Sequence, residues 1–77
     1  MIIWHDNAIK KLKKLPKDVQ DRIVSAVEKL PMGNVKALSG SYKGSYRLRV
    51  GQWRVLFFYQ EKDIVIFAVK HRREAYR

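Results

Sequence analysis

The spacing of the apolar residues changes once along the chain, and this change constrains the fold more than any other feature. Between residues 8 and 30, apolar side chains recur every three or four positions, as on one face of a helix. From residue 46 onward they alternate with polar side chains, as in strands that bury one face. The pattern predicts helices first and an antiparallel sheet afterwards, which is an α+β arrangement.

The helical part of the chain divides at Pro16, which disfavours the helical region for the residue before it. The apolar stripe before the division is Ala8, Ile9, Leu12 and Leu15. The stripe after it is Val19, Ile23, Val27 and Leu30. Asp6 or Asn7 is expected to cap the first helix, and Pro31 and Gly33 to end the second. The two segments are predicted to form a helical hairpin.

Three strands are predicted in the second half, at residues 46–50, 53–60 and 63–70. Residues 51–52, Gly-Gln, suit a two-residue type II′ turn between the first two strands. Residues 2–4 are a possible fourth strand at the sheet edge, and residues 31–45 are predicted to be a loop. The 77 residues are therefore expected to form a single domain, 1–77, with the hairpin on one face of three or four antiparallel strands.

The chain carries a large positive charge, because 17 lysines and arginines oppose 7 acidic residues, for a net +10. Such a domain is attracted to polyanions, although a solvated basic surface facing an acidic partner is the alternative. Six of the seven arginines follow residue 45, whereas most lysines precede it. Because arginine matches phosphate with a planar fork, a phosphate site is expected in the second half.

Composition excludes several other classes of protein. Without cysteine there is no disulfide, thiolate metal site or cysteine nucleophile, and two histidines make a classical zinc site unexpected. No apolar run approaches the roughly 20 residues that span a bilayer, and the N-terminus does not resemble a signal peptide. We expect a cytoplasmic protein with no metal, no cofactor and no membrane association.

The predicted turn at residues 51–52 makes the hairpin register explicit. It places Arg49 opposite Arg54, and strand alternation puts Arg47 on the same face as both. Like charges directly opposite each other are unfavourable by up to about 1 kcal/mol, so the arrangement favours a bound anion. In the alternative, these arginines extend into solvent or pair with Glu61, Asp63 or Glu74.

The C-terminal tail is expected to extend this site. His71, Arg72 and Arg73 should emerge near the start of the second strand and the Arg47 end of the first. Tyr76 is either a platform for a nucleobase or a packing anchor. Of the reactions that such a set of residues could catalyse, the one left open is metal-free RNA cleavage, in which the 2′-hydroxyl of the RNA attacks the adjacent phosphate. The arginines would stabilise phosphoryl charge, and His71 or Tyr76 would move protons.

Three segments resemble a known family. Residues 46–57, YRLRVGQWRVLF, resemble the central hairpin of the RelE/ParE toxins. Residues 69–77, VKHRREAYR, are similar to the family's closing motif GHRREVYR, and residues 15–23, LPKDVQDRI, are similar to the start of its helical hairpin. The resemblance covers nearly the whole chain and implies the RelE-like fold.

The resemblance to the RelE branch implies an activity and a set of site residues. That branch cleaves mRNA in the ribosomal A site without a metal, and a cognate antitoxin neutralises it. The matching catalytic positions are Arg47, Arg49, Arg54, Arg72 and Tyr76, with His71 as an acid or base that not every member has. Further RNA contacts are expected at Lys43, Arg73 and Arg77. Some members have lysine at the first two positions, so the general acid and base stay open.

Two other functions are compatible with the sequence. One is a ParE-like inhibitor of DNA gyrase, which shares the fold and an antitoxin but is a binding protein. The other is a non-catalytic RNA- or DNA-binding module or toxin relic. The partners expected for the leading hypothesis are the ribosome with mRNA and an acidic, partly disordered antitoxin. The antitoxin could dock on the helical hairpin or on the exposed sheet face.

Overall fold

The computed structural model describes residues 1–74 and consists of two helices against one sheet. The helices are α1 (Asp6–Lys13) and α2 (Lys17–Glu28). The strands are β1 (Ile2–Trp4), β2 (Val35–Ala37), β3 (Tyr46–Val50), β4 (Trp53–Gln60) and β5 (Asp63–His71). A single 3₁₀ turn, Gly40–Tyr42, precedes β3. The helices pack on one face of the sheet, so the predicted α+β architecture is confirmed.

The strands follow the order β1-β5-β4-β3-β2 across the sheet, which makes five strands rather than the three or four predicted. Neighbours from β5 to β2 are antiparallel, and the predicted hairpin register is confirmed, with Val50 opposite Trp53 and Arg49 opposite Arg54. The N-terminal strand β1 does form an edge, but it runs parallel to β5. The helical hairpin follows β1 in the chain and covers one face of the sheet.

The fifth strand, β2, lies within the segment predicted to be a loop. Its three residues pair antiparallel with β3, and the N–H of Arg49 donates to the carbonyl oxygen of Asn34 at 3.0 Å, just before β2. Three residues are too few to show the alternation that reveals a strand in a sequence. The strand forms because β3 offers it an unpaired edge.

The helix ends differ slightly from the prediction. The N-cap of α1 is His5, whose Nδ1 accepts a hydrogen bond from the N–H of Asn7 at 3.4 Å, rather than Asp6 or Asn7. Asp6 instead lies in the first turn, where a carboxylate complements the helix dipole. Pro16 separates the helices as expected and is the N-cap of α2. No helix of residues 1–74 is long and apolar enough to cross a membrane.

The core lies between the helices and one face of the sheet. Its fully or nearly fully buried members are Ala8, Ile23, Val27, Leu48, Val55, Phe57, Ile66 and Val69. These residues come from the helix stripes and from alternate strand positions, as the spacing predicts. Within β5, however, Ile66 and Val69 are three residues apart, because the ladder shifts register between Leu56 and Phe57. This bulge changes which β5 residues face the helices.

The last strand ends at a different place from the one predicted. β5 continues through His71, which pairs with Trp53, and the N–H of Arg72 donates to the carbonyl oxygen of Gln52 at 2.7 Å. The tail therefore leaves the sheet beside the 51–52 turn, at the Val50 end of β3. The expected position at the Arg47 end was wrong, because an antiparallel hairpin puts the start of β4 beside the end of β3.

The 51–52 turn depends on the conformation of Gly51, whose φ is +59°. We expect Gly51→Ala to lower the free energy of unfolding by about 1–2 kcal/mol, since a Cβ is unfavourable in this region. Urea denaturation measures the loss, with Lys62→Ala in the exposed turn between β4 and β5 as the control. Equal stability of the Gly51 variant and the unmodified protein would contradict this interpretation of the turn.

Candidate nucleic-acid interface

The sheet face that the helices leave open carries five cations. Their register places Lys36 opposite Arg47 on β2 and β3, and Arg49 opposite Arg54 on β3 and β4. Lys70 of β5 lies opposite Arg54 on its other side. Each alternates with a side chain that faces the helices. The result is a basic face, defined by Lys36, Arg47, Arg49, Arg54 and Lys70.

The basic face lacks neutralising carboxylates within the part of the chain that the structure describes. The ion pairs of residues 1–74 join Asp63 to the N-terminal ammonium, Glu74 to Lys11, and Asp21 to Lys17. Pairing of the arginines with Asp63 or Glu74 is therefore not what the structure shows. Adjacent like charges on a sheet are unfavourable, and a bound polyanion would offset their repulsion.

Two arginines of the basic face are held by backbone oxygens. Nη1 of Arg47 donates to the carbonyl oxygen and to Oδ1 of Asn34, both at 3.0 Å. Nη1 of Arg54 donates to the carbonyl oxygens of Gly51 and Trp53, also at 3.0 Å. A guanidinium carries five N–H donors, so each side chain is oriented through one nitrogen and keeps donors for a ligand.

A pocket of about 310 Å³ brings the three sheet arginines together. Its lining is Lys36, Ala37, Leu38, Ser39, Tyr42, Arg47, Arg49 and Arg54. The sequence had indicated the three arginines but not Lys36 or Tyr42. Lys36 would have followed from recognising β2, because it lies directly opposite Arg47. Tyr42 is on the 3₁₀ turn, whose position over the sheet has no periodic signal in the sequence.

His71 lies on the other side of the sheet from this pocket. Its ring packs edge-on against Trp53 with centroids 5.3 Å apart, and its Nε2 is 3.1 Å from Oε1 of Gln52. It lines a separate pocket of about 280 Å³ with Val19 and Arg22 of α2. The structure therefore does not bring His71 to the pocket of Arg47, Arg49 and Arg54.

Of the remaining predicted residues, the three that the structure describes also lie outside the lining of the arginine pocket. Arg72 and Arg73 are exposed in the turn that follows β5, and the N–H of Arg73 donates to Nδ1 of His71 at 3.3 Å. Lys43 is exposed beside Tyr42. Tyr76 and Arg77 lie outside the described residues. Among residues 1–74, no three His, Cys, Asp or Glu side chains are grouped so that they could hold a metal ion.

The family model for the ParE toxin of the type II toxin–antitoxin system parDE matches residues 2–76. The chain therefore belongs to the RelE/ParE toxin family of type II toxin–antitoxin systems. No curated protein sequence matches it.

Solved structures of similar proteins support the same fold. The RelB–RelE complex from Methanococcus jannaschii shares 26% identity with a TM-score of 0.77, covering 96% of this chain and 94% of that one. The RelE–RelB complex from Pyrococcus horikoshii OT3 shares 28% with a TM-score of 0.71, covering 96% of each chain. The RelBE2 complex from Mycobacterium tuberculosis shares 24% with a TM-score of 0.81, covering 96% and 92%.

Proposed function

We propose that this toxin is a ribosome-dependent endoribonuclease that cleaves mRNA in the ribosomal A site. It acts in the cytoplasm as a single domain, 1–77, and uses no cofactor. The observation that carries the proposal is the convergence of Arg47, Arg49 and Arg54 in one pocket on the open sheet face. Three guanidinium groups suit a phosphate whose negative charge increases during the reaction.

The chemistry assigned to this pocket is transfer of the phosphoryl group within the RNA. The 2′-oxygen forms a bond to the adjacent phosphorus, and the bond to the 5′-oxygen breaks. The 2′-hydroxyl loses its proton, and the departing 5′-oxygen gains one. The arginines stabilise charge on the non-bridging oxygens, while Lys36 and Tyr42 are the pocket side chains that exchange protons more readily than arginine. By family resemblance, Arg72 and Tyr76 contribute from the tail.

The lining of the arginine pocket supports the proposed dependence on the ribosome. His71, the candidate acid or base, faces the helices, and among residues 1–74 no histidine or carboxylate lines the arginine pocket. A site of this kind stabilises phosphate charge but orients the 2′-hydroxyl weakly. A ribosome that holds the mRNA in a reactive geometry would supply that orientation, which is worth a large part of a reaction barrier.

We propose that Tyr42, which lines the arginine pocket, stacks on a nucleobase beside the scissile phosphate. We expect Tyr42→Ala to lower the rate of cleavage by about 5- to 150-fold, the usual value of a base–aromatic stack, and Tyr42→Phe to retain most of the rate. Single-turnover cleavage of ribosome-bound mRNA measures both. An alanine variant as active as the unmodified toxin would show that Tyr42 does not contribute to cleavage.

A gyrase-directed activity is the second candidate, because the matching family model is that of the ParE toxin. Such a toxin binds its target and needs no phosphate pocket. Pulse labelling of cells after induction separates the two functions. The proposed nuclease stops methionine incorporation first while thymidine incorporation continues, whereas early loss of thymidine incorporation would favour gyrase and contradict the nuclease.

We infer that a cognate antitoxin is the protein partner. The net charge of +10 favours an acidic chain, and similar solved structures are complexes of RelE with RelB. Besides the basic face, a groove of about 650 Å³ lies between α2 and β3. Met32 and Ala26 supply apolar surface there, and Arg22 and Lys29 supply positive charge, which suits an acidic amphipathic segment.

A further inference from the structure

Lys70 completes a row of three cations that crosses the sheet. In the strand register, Arg54 lies directly opposite Arg49 on one side and directly opposite Lys70 on the other. The three residues therefore lie at one level of β3, β4 and β5. Neighbouring strands are about 4.8 Å apart. The arginine pocket includes the first two members of the row but not Lys70, which lies one strand further on.

The orientation of Lys70 toward the basic face results from the bulge in β5. Ile66 and Val69 both face the helices although they are three residues apart. Without the register shift, regular alternation from Ile66 would direct Lys70 to the helix side. The bulge instead places it beside Arg54.

We propose that Lys70 binds a second RNA phosphate, next to the one held by the arginine pocket. This inference rests on the proposed function and adds a subsite to it. An RNA strand that crosses β3, β4 and β5 meets Arg49, Arg54 and Lys70 in turn. A phosphate in the pocket then leaves its neighbour within reach of Lys70.

The chemistry of Lys70 suits a contact that positions the RNA rather than one that reacts. Its ammonium is a point charge on a flexible stem, whereas the scissile phosphate is served by guanidinium forks. Lys70 is half-buried, and its side chain forms no ion pair with any of residues 1–74. The family's closing motif GHRREVYR has glycine at this position, so the subsite is an addition to the family pattern.

The test uses 2′-O-methyl oligonucleotides, which cannot be cleaved, with one or two internucleotide phosphates. The intact toxin should bind the two-phosphate probe about 2- to 5-fold more tightly than the one-phosphate probe at low salt. Lys70→Gln should bind the one-phosphate probe normally and lose that gain. For the two-phosphate probe, the slope of log affinity against log salt concentration should be shallower by about 0.7 for Lys70→Gln than for the unmodified toxin. Lys70→Arg should restore the gain.

Two control variants keep the outcomes distinct. Lys62→Gln removes a lysine in the β4–β5 turn, at the far end of the hairpin, and should leave both affinities unchanged. Arg54→Ala should weaken binding of the one-phosphate probe. If that probe binds independently of Arg54, the proposed function fails. The subsite is overturned if the second phosphate adds no affinity, if Lys70→Gln weakens both probes equally, or if neither probe binds at low salt.

Discussion

Replacing Arg54 with alanine is expected to lower the rate of mRNA cleavage by about 10²- to 10³-fold and to abolish toxicity in cells. Arg54 is central because it lines the pocket with Arg47 and Arg49 and also lies opposite Lys70. Its Nη1 is fixed by two carbonyl oxygens, so the other donors are already oriented before RNA binds. Single-turnover cleavage of ribosome-bound mRNA measures the loss.

Matched variants separate this effect from loss of folding or charge. Arg22→Ala removes an exposed arginine on the helix side and should retain activity. Arg54→Lys keeps the charge without the planar fork, so it should recover only part of the rate. Circular dichroism should show Arg54→Ala folded. A folded Arg54→Ala variant that remains fully toxic would exclude the arginine pocket as the reaction site.

Replacing Phe57 with alanine is expected to lower the free energy of unfolding by about 3–5 kcal/mol. Phe57 is 0% exposed and stacks on Tyr46, with ring centroids 5.6 Å apart. Domains are stabilised by only about 5–15 kcal/mol in total, so a chain of this size loses much of its margin. Urea denaturation measures the change.

Tyr59 provides the control for this core substitution. It contacts the same rings, at 5.3 Å from Tyr46 and 5.8 Å from Phe57, but its side chain is 46% exposed. Tyr59→Ala should therefore cost only about 1 kcal/mol, since aromatic pairing is lost but little area becomes newly exposed. Similar losses for the two variants would mean that the core is not organised around Phe57.

The central hairpin was predictable because two local rules agree. Alternation assigns each side chain to a face, and the glycine at the first position of the turn sets the register. Together they placed Arg49 opposite Arg54 and Arg47 on the same face, as the structure has them. The helical hairpin was equally accessible, because Pro16 divides two stripes of helical spacing.

The features that escaped prediction depend on contacts between distant segments. β2 forms against the edge of β3, and its Lys36 reaches the pocket only through that pairing. His71 and Lys70 take their faces from a bulge that the composition of β5 does not reveal. The expected role of His71 followed from placing the tail near the Arg47 end of β3, whereas strand alternation after the bulge turns His71 toward Trp53.

The most direct test of the proposed function is primer extension on a translated mRNA, with purified toxin, in the presence and absence of ribosomes. We predict cuts at in-frame codons only when ribosomes are present, and no cuts with Arg54→Ala. Intact mRNA in the presence of folded toxin and ribosomes would contradict the account and direct attention to gyrase. Cuts without ribosomes would contradict the proposed dependence on the ribosome.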